Sequence, residues 1–574
     1  MARASFYLPL EAAVRTNRAS RRLMKDDPYV SAGLERNRPW WSLPVRLARA
    51  PRGGIRIVVD WGRLAVLLVA LALLGWFGLA TAGYLFVKYQ RDFAEVRFVD
   101  ILLPTRWDDY RVARGNHYIE RAKAELKEGN YREAFHFVRV GVGASPANTE
   151  GRLLLAQFFA VWGRADLAQR TLVEGLPKGE DNPEFLKALF GFLIQNQEDA
   201  EVLAISKLLL PAIPEVTPRN QLVALAAATA QFFRGSYDDA EDLLAAYSLL
   251  RTKDGRLLQA RIDWDRGARD QALIRLENYA AESPGEDEYS VQLTAFHREA
   301  GNWADVQRLA ILRQLTNPNN PAPQIDLLYA YAETGSREKM REEVEAVFRD
   351  FATNSQVILA LGDFAANQGD TELARRVLDH SRFHNLGSEG PALMLAESHV
   401  VARRYTEALA LIQQFSRENP EWLKRSAAVF NGLQAIASFG LGSRDDGELY
   451  LNTFLSQPSL RAENLVAVSG RLLAIGATEP ARRVLAAATQ ADPKNQAALT
   501  RLIELDLEAG RADDLPANLT RLLTMRRPSP TLLANAARTL GSDRHFFLTG
   551  RDELLGEIEK AIRAAPAPTA AKAS

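Results

Sequence analysis

An all-α solenoid of stacked helix–turn–helix repeats is the fold this sequence predicts, and three observations predict it. Glycines fall on a 34-residue grid at Gly129, Gly163, Gly267, Gly301, Gly335, Gly369, Gly442, Gly476 and Gly510, a period at which one helical hairpin follows another. Prolines at Pro146, Pro284, Pro318, Pro420 and Pro493 each stand 17 residues after a turn position, where a second helix has to stop. The chain of 574 residues also exceeds what a single compact core absorbs, and a one-dimensional stack has no such ceiling.

Taken in order, residues 1–60 form a basic tail, read as mostly flexible. Residues 1–63 hold thirteen Lys/Arg against five Asp/Glu, so the remainder of this net-neutral chain is acidic by the same margin of eight. The segment NRPWWSLPVRLARAPRGG shows no sustained periodicity, and no strand is expected anywhere in the chain. Residues 11–25 suit a short basic amphipathic helix at anionic headgroups, and equally a solvated basic tail.

Next comes an uncharged run, LAVLLVALALLGWFGLATAGYLFV, from Leu64 to Val87. At about 1.5 Å of rise per residue it crosses a ~30 Å hydrocarbon core with some tilt. Trp61, Trp76 and Tyr84 stand near its ends, where amphipathic rings favour the interface. Residues 61–88 are therefore assigned as a membrane-spanning helix. A position more than sixty residues into the chain argues against a cleaved signal. Gly78 and Ala82 form one small-xxx-small pair, the feature through which a homo-oligomer would pack. The basic tail places the N-terminus in the cytoplasm and the rest of the chain across the membrane. Lys88, Arg91, Arg97 and Arg106 follow the span closely and pull the other way. Residues 89–114 are a juxtamembrane connector.

The repeats occupy residues 115–530. In the first, Ala122 is the small residue at the helix crossing and Gly129 ends the first helix, since glycine enters the left-handed cap without penalty. Tyr131 packs behind the turn, Ala134 and Val138 share one face of the second helix, and Pro146 ends it. The same roles return at Ala156, Gly163, Ala168 and Leu172. They return again in GSYDDAEDLL (Gly235, Tyr237, Ala240, Leu244), GARDQALIRL (Gly267, Ala272, Leu276), GNWADVQRLA (Gly301, Trp303, Val306), GDTELARRVL (Gly369, Ala374, Leu378) and RRYTEALALI (Tyr405, Ala408, Ile412). Twelve repeats can be phased. Ten have glycine at the turn, and Gln197 and Arg403 hold the other two slots. The spacing loosens around residues 211–219 and near Gly442. Residues 531–564 are a capping helix pair, which the open end of a solenoid requires, and residues 565–574 are a disordered tail.

This pattern resembles the tetratricopeptide repeat family over roughly 70% of the chain, as a membrane-anchored bacterial member. The resemblance implies a right-handed superhelix whose first helices line a concave groove for a peptide or partner helix. Residues two, five, nine, twelve and thirteen of each repeat commonly face that groove. Asn116, Ile119 and Lys123 in the first repeat, and Glu150, Leu153 and Gln157 in the second, depart from the family's carboxylate-clamp pattern. In the middle repeats Glu299, Tyr329, Glu333, Asp363 and Glu397 occupy groove positions, beside Ala295. They form an acidic strip with one aromatic, suited to a basic or amphipathic protein segment; a solvated groove wall is the plainer alternative.

No catalytic chemistry is legible. Cysteine is absent, which removes disulfides, thiolate metal sites and cysteine nucleophiles. No phosphate-cradling glycine loop follows a strand. Of seven histidines, only His380 and His384 share a helical face at metal-pair spacing. They lie where a second helix ends, a common place for cations. No metal, cofactor or nucleic acid is expected, the last because the repeats are net acidic. The leading reading is a non-enzymatic scaffold in a bacterial inner membrane, with a periplasmic solenoid assembling an envelope complex for secretion, pili or polysaccharide export. Its rivals are a cytosol-facing adaptor that recruits soluble partners and a regulatory subunit of a membrane enzyme complex.

Overall fold

The computed structural model describes residues 5–7, 45–49, 55–59, 61–91, 93–458 and 460–564. The chain forms two compact units, residues 1–179 and 180–574.

The first unit opens with a correction. Strands β1 (Ser5–Tyr7), β2 (Val45–Arg49) and β3 (Ile55–Val59) pair antiparallel in the order β1-β3-β2, with Ser5 opposite Val58 and Val45 opposite Val59. No strand was expected in this tail. The β-branched run at Ile55, Ile57, Val58 and Val59, with Pro51, Gly53 and Gly54 ahead of it, is hairpin composition set among arginines. Residues 11–25 and 565–574 lie outside the described residues.

Helix Trp61–Leu85 runs into a π-helical turn, Phe86–Gln90. Together they make a 30-residue helix, long and apolar enough to cross a membrane. Leu74 and Leu79 are 68% and 73% exposed, so most of this surface has no protein cover. The chain then turns back along it. Trp76 Nε1 donates to the Leu102 carbonyl at 2.9 Å, and Phe98 packs edge-on against Phe77 and Tyr84. The first repeat begins earlier than expected, with helix Trp107–Lys127 followed by Tyr131–Ala144. Ala122, Ala134 and Val138 are fully buried, as their phase requires. The closest approach, however, is at Gly115 and Gly141, which sequence phasing did not single out. A Cβ on Gly115 would sit 2.6 Å from Ser145 N and 2.8 Å from Gly141 O. Tyr131 is 65% exposed rather than packed behind its turn. One helical turn on, Phe135 meets Trp162 at 4.5 Å and holds the next helix end instead.

The second unit is an α-solenoid of stacked hairpins, from Pro183–Gln195 with Asp199–Leu209 to Gln496–Glu508 with Leu515–Leu523. The two irregular places have causes: a loop over residues 210–217, and an extra short helix, Pro420–Arg425, ahead of the Gly442 hairpin. Helices Pro530–Leu540 and Arg551–Ala564 cap the stack, placing Leu533, Leu540 and Ile558 against Leu515, Leu519 and Leu522.

All twelve turns share one backbone solution. At Gly129 the amide bonds to Leu126 O and the next amide to Glu125 O, the paired reversed bonds of a Schellman cap, which needs a left-handed residue. Gln197 (φ 57°) and Arg403 (φ 59°) form that cap without glycine, bonding to Ile194 and Leu193, and to Val400 and His399. A side chain in this region costs about 1–2 kcal/mol. Arg403→Gly is accordingly expected to raise the solenoid's stability by ~1 kcal/mol. Gly335→Val should lower it by more than that, because φ is +69°; nothing lies within 4 Å of an added Cβ, so the loss is backbone strain alone. Thermal unfolding of the pair checks this: shifts of equal sign would refute the shared cap.

Candidate functional site

Three side chains far apart in sequence define the inner face of the second unit. Arg471, on helix Ala462–Ala474, donates through Nη2 to Glu397 Oε1 at 3.1 Å and to Asn367 Oδ1 at 2.8 Å. Glu397 belongs to Glu389–Val401 and Asn367 to Ser355–Gln368. These are the first helices of three repeats, and residues 74 and 104 positions apart meet only where such helices line the inside of a curve.

Around this junction the structure gathers part of the expected strip. Asn367 Nδ2 donates to Asp363 at 3.1 Å, and the Tyr329 ring meets Phe364 edge-on at 5.0 Å. Burial raises the Tyr329 phenol above its ordinary range; the nearby Asn367 amide opposes this and Asp363 adds to it. Tyr329, Asp363 and Glu397 thus share one network. Glu333 is exposed at the end of Ala322–Glu333. Glu299 stands apart from them, 3.7 Å from Arg269. Arg471 is the residue that position counting missed. It is the tenth residue of its repeat, and only the curvature of the array aims it at Glu397, whose charge it offsets.

Glu299 lines a second feature of the same face, a cavity of about 630 Å³. Its floor comes from first helices: Phe232 and Phe233 on Pro218–Arg234, Arg261 and Asp265 on Lys253–Asp265, Ala295 and Glu299 on Asp287–Glu299. Trp264 and Phe296 stack nearly parallel at 4.2 Å within it, and Arg269 covers the Trp264 ring at 4.8 Å. Its far wall is unexpected: residues 526–530, Arg-Arg-Pro-Ser-Pro, from the linker between Leu515–Leu523 and Pro530–Leu540. An aromatic floor ringed by paired charges suits an extended polypeptide, whose backbone and alternate side chains need both.

The histidine pair is a packing feature. His380 and His384 rings lie 4.4 Å apart, and His380 Nε2 sits 2.8 Å from the Ala352 carbonyl, which requires that nitrogen to carry the proton and donate. No group of three His, Cys, Asp or Glu side chains is placed to hold a metal ion among the described residues.

No family model and no curated protein matches the chain. Solved structures of tetratricopeptide-repeat proteins do. The Cut9–Hcn1 hetero-tetramer of the APC/C is 12% identical, covering 78% of this chain and 97% of that one at a TM-score of 0.25. A tetratricopeptide repeat protein from Parabacteroides merdae is 15% identical over 44% of this chain and 96% of its own, at 0.27. Naa15/Naa10 bound to HypK-THB is 13% identical over 86% and 79%, at 0.28.

Proposed function

We propose that this chain is a non-enzymatic, membrane-anchored scaffold whose inner face holds a segment of a partner protein. The convergence of Tyr329, Asp363, Asn367, Glu397 and Arg471 carries the reading. It is a polar junction with an aromatic at its edge, displayed on a stack of repeats and joined to an apolar 30-residue helix. In the fuller form of the reading, the anchor sits in a bacterial inner membrane, the basic tail is cytoplasmic, and the solenoid assembles a secretion, pilus or polysaccharide-export complex in the periplasm. Lys88, Arg91, Arg97 and Arg106, which follow the span closely, favour the second reading, a cytosol-facing adaptor.

Two measurements test this in the full chain. A reporter active only outside the cytoplasm, fused at the C-terminus, should be active; activity from a cytoplasm-only reporter instead selects the adaptor. A photo-cross-linking residue at Tyr329 or Asp363 should capture one discrete protein in cells, and Arg471→Glu should change that adduct. Adducts no different from those at exposed Leu315 would refute inner-face binding.

A further inference from the structure

The segment that walls the 630 Å³ cavity is held as a ligand is held. Arg526 donates through Nε and Nη2 to the two Asp199 oxygens at 2.9 and 3.0 Å, and through Nη2 to the Ile194 carbonyl at 2.5 Å. Its guanidinium lies face-on over Phe233, 3.6 Å from the ring centroid. Edges paired and face stacked, it occupies a site that a lysine ammonium cannot satisfy. Asp199 is itself buried, its side chain 6% exposed.

The next residue is held through its main chain as well. The Arg527 amide donates to Phe233 O at 3.1 Å, and Gln496 Nε2 donates to Arg526 O at 2.7 Å. The Arg527 stem runs over bare Gly235, where a Cβ would lie 2.7 Å from its Cδ. Its guanidinium bonds to the Tyr237 hydroxyl, which donates in turn to Asp265 at 3.1 Å. Burial, chiefly, pushes that phenol up to about 12, so it keeps the proton it donates. Lys494 and Glu198 form an ion pair alongside. The contacts of Arg526 and Arg527 with Ile194, Asp199 and Tyr237 join residues 290–332 positions apart and close the second unit into a ring.

We propose that Ile194, Asp199, Phe233, Gly235 and Tyr237 form a recognition site for an extended Arg-Arg-Pro segment, filled in this structure by the chain's own Arg526, Arg527 and Pro528 as an intramolecular latch. A partner bearing such a segment takes the site by displacing the latch and extends into the free cavity beside Trp264, Phe296 and Glu299. The proposal rests on the inner-face binding reading only for the existence of an external partner; the site itself is testable without one. A tethered segment competes at an effective concentration on the order of millimolar, so the closed chain is masked against free peptide.

The probe is a fluorescent peptide, LTMRRPSPT, copying residues 523–531, titrated by anisotropy against the full chain in detergent. R526A/R527A should bind it saturably, with a Kd at least tenfold below that of the unaltered chain. Adding Asp199→Asn, or replacing both peptide arginines by lysine, should weaken binding at least tenfold. A folded R526A/R527A that does not bind the peptide, or equal binding by the unaltered chain, overturns the proposal. Should R526A/R527A fail to fold, hydrogen exchange at the Arg527 amide of the unaltered chain decides. Millimolar peptide should speed that exchange, and unchanged protection overturns the latch. Because the peptide needs no cellular partner, this result stands apart from cross-linking at Tyr329.

Discussion

Arg313→Met is expected to cost the solenoid about 3–5 kcal/mol, the loss usual when one member of a buried ion network is removed. The guanidinium is 6% exposed on helix Trp303–Thr316 and binds two carboxylates. Nε and Nη2 donate to Asp287 at 2.8 and 3.0 Å, and Nη1 donates to Asp326 at 3.0 Å. Asp287 opens its own repeat and Asp326 belongs to the next, so one side chain ties two hairpins together. Asp326 is the vulnerable member. Burial already raises its carboxyl above the ordinary range despite Arg313 and Arg298. Without Arg313 it is left with Arg298 alone, and its affinity for a proton climbs further. A carboxyl whose folded pKa lies above its unfolded one contributes stability at low pH and loses it as pH rises through the folded value. The defect in Arg313→Met should therefore deepen from acidic to neutral pH. Adding Asp326→Leu should recover most of it, since it removes the buried carboxylate left without Arg313, while half-exposed Asp287 remains solvated. Urea unfolding followed by helicity, with hydrogen exchange to localise the opening, measures this in a stack that need not melt in one step. A loss under about 1 kcal/mol, flat with pH, would place the network with ordinary surface pairs.

Local features of the fold were legible because each repeat solves the same problem from its own residues. The turn slots could be counted down to Gln197 and Arg403, and both adopt the left-handed cap that glycine takes elsewhere. The phased alanines and larger aliphatics, among them Ala240, Leu244, Ala408 and Ile412, are fully buried. What stayed hidden depends on sums over many repeats. Each hairpin adds a small rotation. After two or three of them Arg471 faces Glu397 and Asn367, and after about nine Arg526 faces Asp199. No window of the sequence contains those pairs. The strip of five groove residues consequently divides, with Glu299 at the cavity, Tyr329, Asp363 and Glu397 in the Arg471 network, and Glu333 exposed at a helix end. The β1–β3 sheet was missed for another reason: β1 pairs with β3 across some fifty residues, and strands of three to five residues leave little alternation to read.

Gly255→Ala is expected to run against helix propensity. Gly255 lies in the first turn of helix Lys253–Asp265, where alanine would ordinarily gain up to about 1 kcal/mol. Here a Cβ would lie 2.2 Å from Leu249 O and 2.6 Å from Leu249 C. Backbone atoms cannot swing aside as a side-chain tip can. Leu249 is also fixed: it is 1% exposed, and its carbonyl accepts both the Thr252 amide at 2.8 Å and the Thr252 hydroxyl at 2.7 Å. The Thr252 hydroxyl in turn accepts the Gly255 amide at 3.2 Å and caps the helix. Relief of the clash must pull this cap apart or shift the helix off the preceding Leu249–Arg251 turn, at a cost of about 3 kcal/mol. Gly191 supplies the control. It is exposed within helix Pro183–Gln195 and has nothing within 4 Å of an added Cβ, so Gly191→Ala should gain about 0.5–1 kcal/mol. Opposite shifts in unfolding midpoint for two identical substitutions would show that close backbone approach, rather than helix propensity, dictates glycine at 255. A gain at both positions would mean that the Leu249 turn yields freely and that this junction between repeats is loose.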